Sequence, residues 1–171
     1  TADGTEREID VLIVATGFHT TDQPIAEHIK GRDGLTLADT WREDGMAAYK
    51  GTTVSGFPNL FQIVGPNTGL GHSSMVFIIE SQIAYIIGAL ETAAEDHLTT
   101  LEPKPQAQAA WNADLQRRMK RTVWNAGGCA SWYLDEHGRN TVLWPRATFT
   151  FRGLLRTFDT EQYLTTKEPV A

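Results

Sequence analysis

Residues 59–82 read NLFQIVGPNTGLGHSSMVFIIESQ. The pattern predicts a buried strand, a glycine-rich turn and a long apolar helix. Residues 59–64 are short and apolar and are opened by Phe57-Pro58, as a central strand would be. Gly65-Pro66-Asn67-Thr68-Gly69-Leu70-Gly71-His72 lets the backbone bend sharply and lie close to a neighbour. From Ser73 onward Met75, Val76, Phe77, Ile78, Ile79, Ile83, Ile86, Ile87 and Leu90 follow almost without a break. A helix apolar nearly all round its first two turns is expected deep inside a larger body. Its N-terminus, with free N–H groups and the positive end of the dipole, would face the glycine turn and suit an anion or a polar cofactor edge.

Two other chemistries begin with strand, turn and helix. A phosphate-cradling P-loop needs four residues between its glycines and then Lys and Ser/Thr. Here five residues separate Gly65 from Gly71 and His72 stands where Lys should be, which excludes it. A nucleophile elbow needs Gly-x-Ser-x-Gly, but Gly71-His72-Ser73-Ser74-Met75 ends in methionine. On spacing alone, a turn that merely connects two elements is the simpler reading.

The chain has 171 residues, 41% hydrophobic and 21% charged, a composition suited to a packed domain or parts of two rather than to disorder. A formal charge of −6 argues against nucleic acid or an anionic membrane as partner. Arg117-Arg118-Met119-Lys120-Arg121 is the nearest approach to a basic run, and helical spacing spreads it round one solvated helix. The single cysteine, Cys129, leaves no internal disulfide and fits a reducing cytoplasm; with no Lys or His beside it in sequence it reads as an inert thiol. The apolar run from Met75 to Ile87 is shorter than a bilayer span and carries Glu80, Gln82 and Tyr85, so no membrane span is expected. His19, His28, His72, His97 and His137 are scattered, and none pairs with Cys, Asp or Glu at a metal-ligand spacing. His72, inside the glycine turn, reads as a ligand contact or a cap on the long helix.

Taken in order, the chain opens with a hairpin tip around Asp3-Gly4. IDVLIVA (residues 9–15) follows as a strand buried on both faces of a parallel sheet, ending in the small residues Ala15-Thr16-Gly17. Residues 19–44 are expected to be irregular, with a short helix near 25–29, a strand or turn at 35–37 and Trp41 as a packing residue. Trp111, Leu115, Met119 and Val123, spaced by four, predict one helix over about 106–124, closed by Gly127-Gly128. Residues 141–144 read as a short strand, 149–158 as a final helix or turn and 161–171 as a loose tail.

Three blocks in order carry a resemblance. IDVLIVATGF (residues 9–18) resembles the Asp-x-x-x-x-Ala-Thr-Gly-Phe strand of flavin-dependent monooxygenases, and GFPNLFQIVGPNTGLGHSSMVFIIESQ (56–82) their flavin-proximal strand, loop and helix. SWYLDEHGRNTVLWP (131–145) is similar to a C-terminal loop of the Baeyer–Villiger branch. The resemblance implies an α/β fold: the C-terminal portion of a two-dinucleotide-binding-domain, Rossmann-like FAD/NAD(P) flavoprotein, with a long buried helix and C-terminal helices. Residues 9–98 would close the FAD-binding domain and 99–171 form a helical and loop extension. It also implies an enzyme using FAD, NADPH and dioxygen, in which reduced flavin captures dioxygen as a C4a-peroxide that attacks a ketone to give an ester or lactone. The alternatives are an N- or S-oxygenating flavin monooxygenase and a non-catalytic α/β interaction or folding module.

Carried over by position, Ala15, Thr16 and Gly17 would lie near the flavin. Gly65, Pro66, Asn67 and Thr68 would border the isoalloxazine, Met75 would open the helix facing its pyrimidine edge, and Trp132 would close over the nicotinamide nucleotide. No catalytic residue and no metal ligand is assigned. Gly-x-Gly-x-x-Gly occurs nowhere in the sequence, so both dinucleotide pyrophosphate sites are expected outside it, in an N-terminal part of the same protein that would be its first partner. The family's active-site arginine belongs to that part, and Arg139, Arg146, Arg152 and Arg156 do not match its context. Alone, this chain is expected to be inactive.

Overall fold

The apolar run after Ser74 becomes a 21-residue helix, α2 (Met75–Glu95), whose inner side packs against a strand and a short helix later in the chain. The structure, a computed structural model, describes residues 2–14, 20–21, 23–128 and 131–167. Before α2 come a 3-10 turn (Pro24–Glu27) and helix α1 (Leu37–Asp44). After it come β1 (Leu98–Pro103), α3 (Pro105–Met119), α4 (Val123–Ala126), α5 (Thr148–Leu154), a second 3-10 turn (Thr160–Gln162) and β2 (Tyr163–Lys167). β1 and β2 pair antiparallel, with Leu101 opposite Thr165 and Pro103 opposite Tyr163.

α1 replaces the expected irregular stretch because its ends are well specified. The Asp39 amide donates to Thr36 Oγ1 at 3.0 Å and the Thr36 amide donates to the Asp39 carboxylate at 3.1 Å, a capping box. Gly45, at φ +73°, takes the chain out of the helix. Leu37 and Trp41 then pack with Ala26, Met46, Val54 and Phe57 in a small cluster of their own. The packing role read for Trp41 is therefore the observed one.

The larger core joins Tyr49, Ile78, Tyr85, Leu101, Leu115, Trp144, Phe151, Leu155 and Tyr163. Trp111 stacks on Trp144 with ring centroids 6.1 Å apart. Pro105 opens α3, where its missing N–H costs nothing. The apolar stripe of α3 holds through Leu115 and Met119, but the helix ends there and Val123 is 72% exposed. Both the amide and the hydroxyl of Thr122 donate to Met119 O, at 2.9 and 2.8 Å, which closes the last turn early.

Several expected elements do not form. The described residues of the stretch read as a doubly buried strand, 9–14, form no strand pairing, and Val11, Leu12, Ile13 and Val14 are all more than two-thirds exposed. Residues 59–64 run as turn and bend rather than strand, and 141–144 makes one bridge, Leu143 to Gly69. The reason is common to all three: a strand needs neighbours to take its amides and carbonyls, and among the described residues only β1 and β2 find that. The opening hairpin tip is a turn at Gly4, φ +79°, without flanking strands. Conversely, the tail expected from residue 161 is ordered through Lys167 as β2.

α2 itself is buried on one side only. Ile78, Ser81, Gln82, Tyr85 and Ala89 face the core, while Val76, Ile83, Ile87 and Leu90 are 41–61% exposed. By length and apolar content it is the one described helix that could reach across a bilayer. Its inward face carries polar groups among the apolar ones, however, and Ser81, Gln82 and Tyr85 bond within the protein, as in a core helix of a folded domain.

Candidate functional site: the glycine loop at the foot of α2

The loop 65–68 is buried, and Gly65, Asn67 and Thr68 are each held by a specific partner. The Asn67 amide donates to Thr141 O at 2.8 Å. Asn67 Nδ2 donates to Asn140 O and Leu143 O at 2.8 and 3.0 Å, and the Thr68 hydroxyl donates to Gly65 O at 2.7 Å. The Gly69 amide donates to Val142 O and the Trp144 amide donates to Gly69 O, both at 2.8 Å. Residues 140–144 thus act as a splint along the back of the loop.

Beneath the loop sits a tight turn at residues 49–53, closed by Tyr49 and Thr53 amides exchanging with each other's carbonyls at 2.7 and 3.1 Å. Its two central residues, Lys50 and Gly51, both have positive φ, 51° and 63°. The approach is close enough to require glycine on both sides. A Cβ on Gly65 would lie 2.4 Å from Gly51 O, and one on Gly51 would lie 2.2 Å from Thr68 Cγ2. Gln82, fully buried on α2, ties the turn, the loop and the helix together. Its Nε2 donates to Gly51 O at 2.8 Å and to Thr52 Oγ1 at 3.1 Å, and its Oε1 accepts from the Val64 amide at 2.9 Å.

The opposite side of the loop is open. Gly71, His72, Ser73 and Ser74 are exposed, and so are Ile63 and Val64. Ser74 is the N-cap of α2 but its side chain makes no capping bond, and no acidic residue occupies the first turn. The positive end of a 21-residue helix is therefore uncapped, and the exposed apolar residues Ile63 and Val64 precede the loop that leads to it. A flat ligand with an apolar face and an electron-rich polar edge matches that surface. The residues expected around a flavin fit the group on these two observations.

The structure holds Gly65, Pro66, Asn67 and Thr68 in one buried loop and makes Met75 the half-buried first residue of α2. Ala15, Thr16 and Gly17 lie outside the described residues, as does Cys129. Trp132 is 50% exposed, its ring 5.1 Å from that of Tyr133. The Thr20 hydroxyl donates to Trp132 O at 2.8 Å, and Thr20 also lines a cavity of about 60 Å³ against Gly65, Pro66 and Gly69. His72 is exposed, 6.2 Å from the Trp124 ring. No group of His, Cys, Asp and Glu able to hold a metal occurs among the described residues.

Sequence reasoning passed over Gln82, a polar residue inside an apolar run, which was a usable signal. It also passed over Lys50 and Asp159, where nothing local marked either. Lys50 Nζ lies 2.9 Å from Asp159 Oδ1, and the hydroxyls of Tyr49 and Tyr85 donate to the same carboxylate. Burial lowers the Lys50 pKa and raises those of Tyr49 and Tyr85; burial also pushes Tyr163 up to about 12.

No family model matches the chain. It is 53% identical over 163 residues to a Baeyer-Villiger monooxygenase of Streptomyces coelicolor, covering 95% of this chain and 31% of that protein. It is 52% identical over 170 residues to another of Pseudomonas aeruginosa, covering 98% of this chain and 32% of that protein. In fold it is similar to cyclohexanone monooxygenase from Rhodococcus sp. Phi1 bound to NADP+, with a TM-score of 0.78 and 24% identity over 98% of this chain and 32% of that one. The chain thus spans about a third of the length of the relatives it matches. Over nearly all its residues the chain is therefore similar to about one third of each of these Baeyer-Villiger monooxygenases, and it shares the fold of the corresponding part of cyclohexanone monooxygenase.

Proposed function

We propose that this chain forms the flavin-facing loop and helix of an FAD- and NADPH-dependent monooxygenase that inserts one oxygen atom of dioxygen into a ketone, giving an ester or lactone. The observation that carries the reading is the uncapped start of α2 beside the buried loop 65–68, in a chain more than half identical to two Baeyer-Villiger monooxygenases. When bound, FAD supplies the redox and oxygen chemistry, with NADPH as the source of electrons.

What the chain itself would do is hold and polarise. The α2 amides would accept the negative charge that gathers on the flavin's pyrimidine edge on reduction, without reorganising. Ala15, Thr16 and Gly17 would let the cofactor approach the backbone, and Gly65, Pro66, Asn67 and Thr68 would form a rigid wall beside it. Ile63 and Val64 would exclude water from that rim, and Trp132 would close over the nicotinamide nucleotide. Residues 9–98 would complete an FAD-binding domain and 99–171 would brace it.

The test uses the full-length protein that carries this chain. The reading expects bound FAD and NADPH oxidation that depends on a ketone and yields the ester in equal amount. Turnover of amines or sulfides but not ketones would move the assignment to N- or S-oxygenation. A colourless protein that takes up no FAD would leave only a folding or interaction module.

A further inference from the structure

The turn under the flavin-facing loop is held from below by charge. Lys50 is 6% exposed although it carries an ammonium group. Its Nζ lies 2.9 Å from Asp159 Oδ1 and 4.6 Å from the centre of the Tyr85 ring, with the Tyr49 ring at 5.5 Å. Asp159 also accepts from Tyr49 OH, and from Tyr85 OH at 2.5 Å. Tyr85 OH and Tyr163 OH are 3.0 Å apart, and Tyr163 OH and Thr53 Oγ1 are 2.9 Å apart, so the network returns to the far side of the same turn. Its members come from the turn 49–53, from α2, from residue 159 and from β2. Lys50, Tyr49 and Tyr85 converge on the one carboxylate.

The placement of this network is specific. Lys50 precedes Gly51, whose carbonyl touches Gly65 and bonds Gln82, and whose Cα abuts Thr68. Lys50 is also held at φ +51°, a backbone region that a lysine enters only when its surroundings compel it. A surface turn would use Asn or Gly there and leave the lysine in water. An ion pair whose ammonium is buried among aromatic rings, with its carboxylate partly exposed, is a weak source of stability but favours one arrangement, because a shift of the turn leaves the buried charge unpaired.

We propose that Lys50 and Asp159 are positioning residues for the flavin-facing loop: their ion pair sets the height of the turn 49–53, and through Gly51 the position of Gly65 and Thr68 against the cofactor. The proposal rests on the flavin reading above and extends it to a segment more than ninety residues from the loop in sequence. It makes Asp159 important to the cofactor site without touching it.

The experiment compares the full-length protein with D159N, K50M and, as a control from the same core, L155A, after confirming by circular dichroism that each is folded. Asp159→Asn leaves the ammonium buried without its counter-charge. Lys50→Met keeps the length of the side chain and leaves the carboxylate its two tyrosine donors. Leu155→Ala loosens the core without entering the network. The readouts are the visible circular dichroism of bound flavin and the FAD Kd. D159N is expected to change the flavin bands and weaken FAD about tenfold or more, K50M to do so to a smaller degree, and L155A to leave the bands as in the wild type. If D159N does not fold, K50M against L155A decides. Wild-type-like flavin bands in both network variants, or the same change in L155A, would overturn the proposal. A wild-type protein without FAD would sink the flavin reading itself, a result distinct from yellow variants that behave alike.

Discussion

The glycine at position 65 shows how little room the loop has. Its Cβ would stand 2.4 Å from the Gly51 carbonyl oxygen, a backbone atom that cannot rotate aside. Gly65→Ala should cost about 2–3 kcal/mol, read as a lower denaturant midpoint at unchanged slope. Gln82 makes the complementary case. Gln82→Leu would keep the volume but leave Gly51 O and the Val64 amide without the partner they now have, and should also cost about 2–3 kcal/mol. Both residues could be flagged from sequence, one as glycine in a turn and the other as a polar residue in an apolar run. The height of the turn beneath them could not, because it depends on Asp159, far along the chain.

At the scale of elements, α2 joins β1 and α5 into the larger core. Ile78 is fully buried on its inner face, and Ile78→Ala should destabilise by about 2–5 kcal/mol in thermal or denaturant unfolding. The tyrosines that join α2 to β2 predict a response to alkali. Tyr163 has its folded pKa raised from 10.0 to about 12 by burial, and Tyr85 and Tyr49 are shifted in the same direction. A raised folded pKa means the unfolded chain releases its proton first, so it holds fewer protons than the folded one between those values. Stability should therefore be fully present below pH 10 and fall from there towards pH 12. Lys50, whose folded pKa is lowered, contributes the opposite slope below its usual value and does not act on the same side. A denaturation series from pH 8 to 12 checks the sign, and Tyr163→Phe should flatten the fall.

For the whole molecule the exposed apolar surface is the governing fact. Val11, Leu12, Ile13 and Val14 lie open at one end, and Val76, Ile83, Ile87 and Leu90 form an open side of α2. In water so much unpartnered apolar area drives association. The 171-residue chain prepared by itself should scatter light increasingly with concentration, and L12D together with I87E should reduce it. The same preparation should show no saturable micromolar binding of FAD by flavin fluorescence, since it carries no Gly-x-Gly-x-x-Gly loop for the pyrophosphate.

Local rules of the sequence were enough for α2, α3, the turn at 65–72 and the kinship of the whole chain, because helices satisfy their own backbone groups and glycine turns are marked by their own residues. They were enough for Trp41 as well. They misplaced the strands, since 9–14 and 59–64 carry strand-like residues but find no ladder, while residues 98–103 and 163–167 find each other across sixty or more positions. Only the tertiary structure decided that pairing, the one-sided burial of α2 and the meeting of Lys50 with Asp159. Each depends on what lies opposite in space, and sequence periodicity records which face of an element is apolar but not what will cover it.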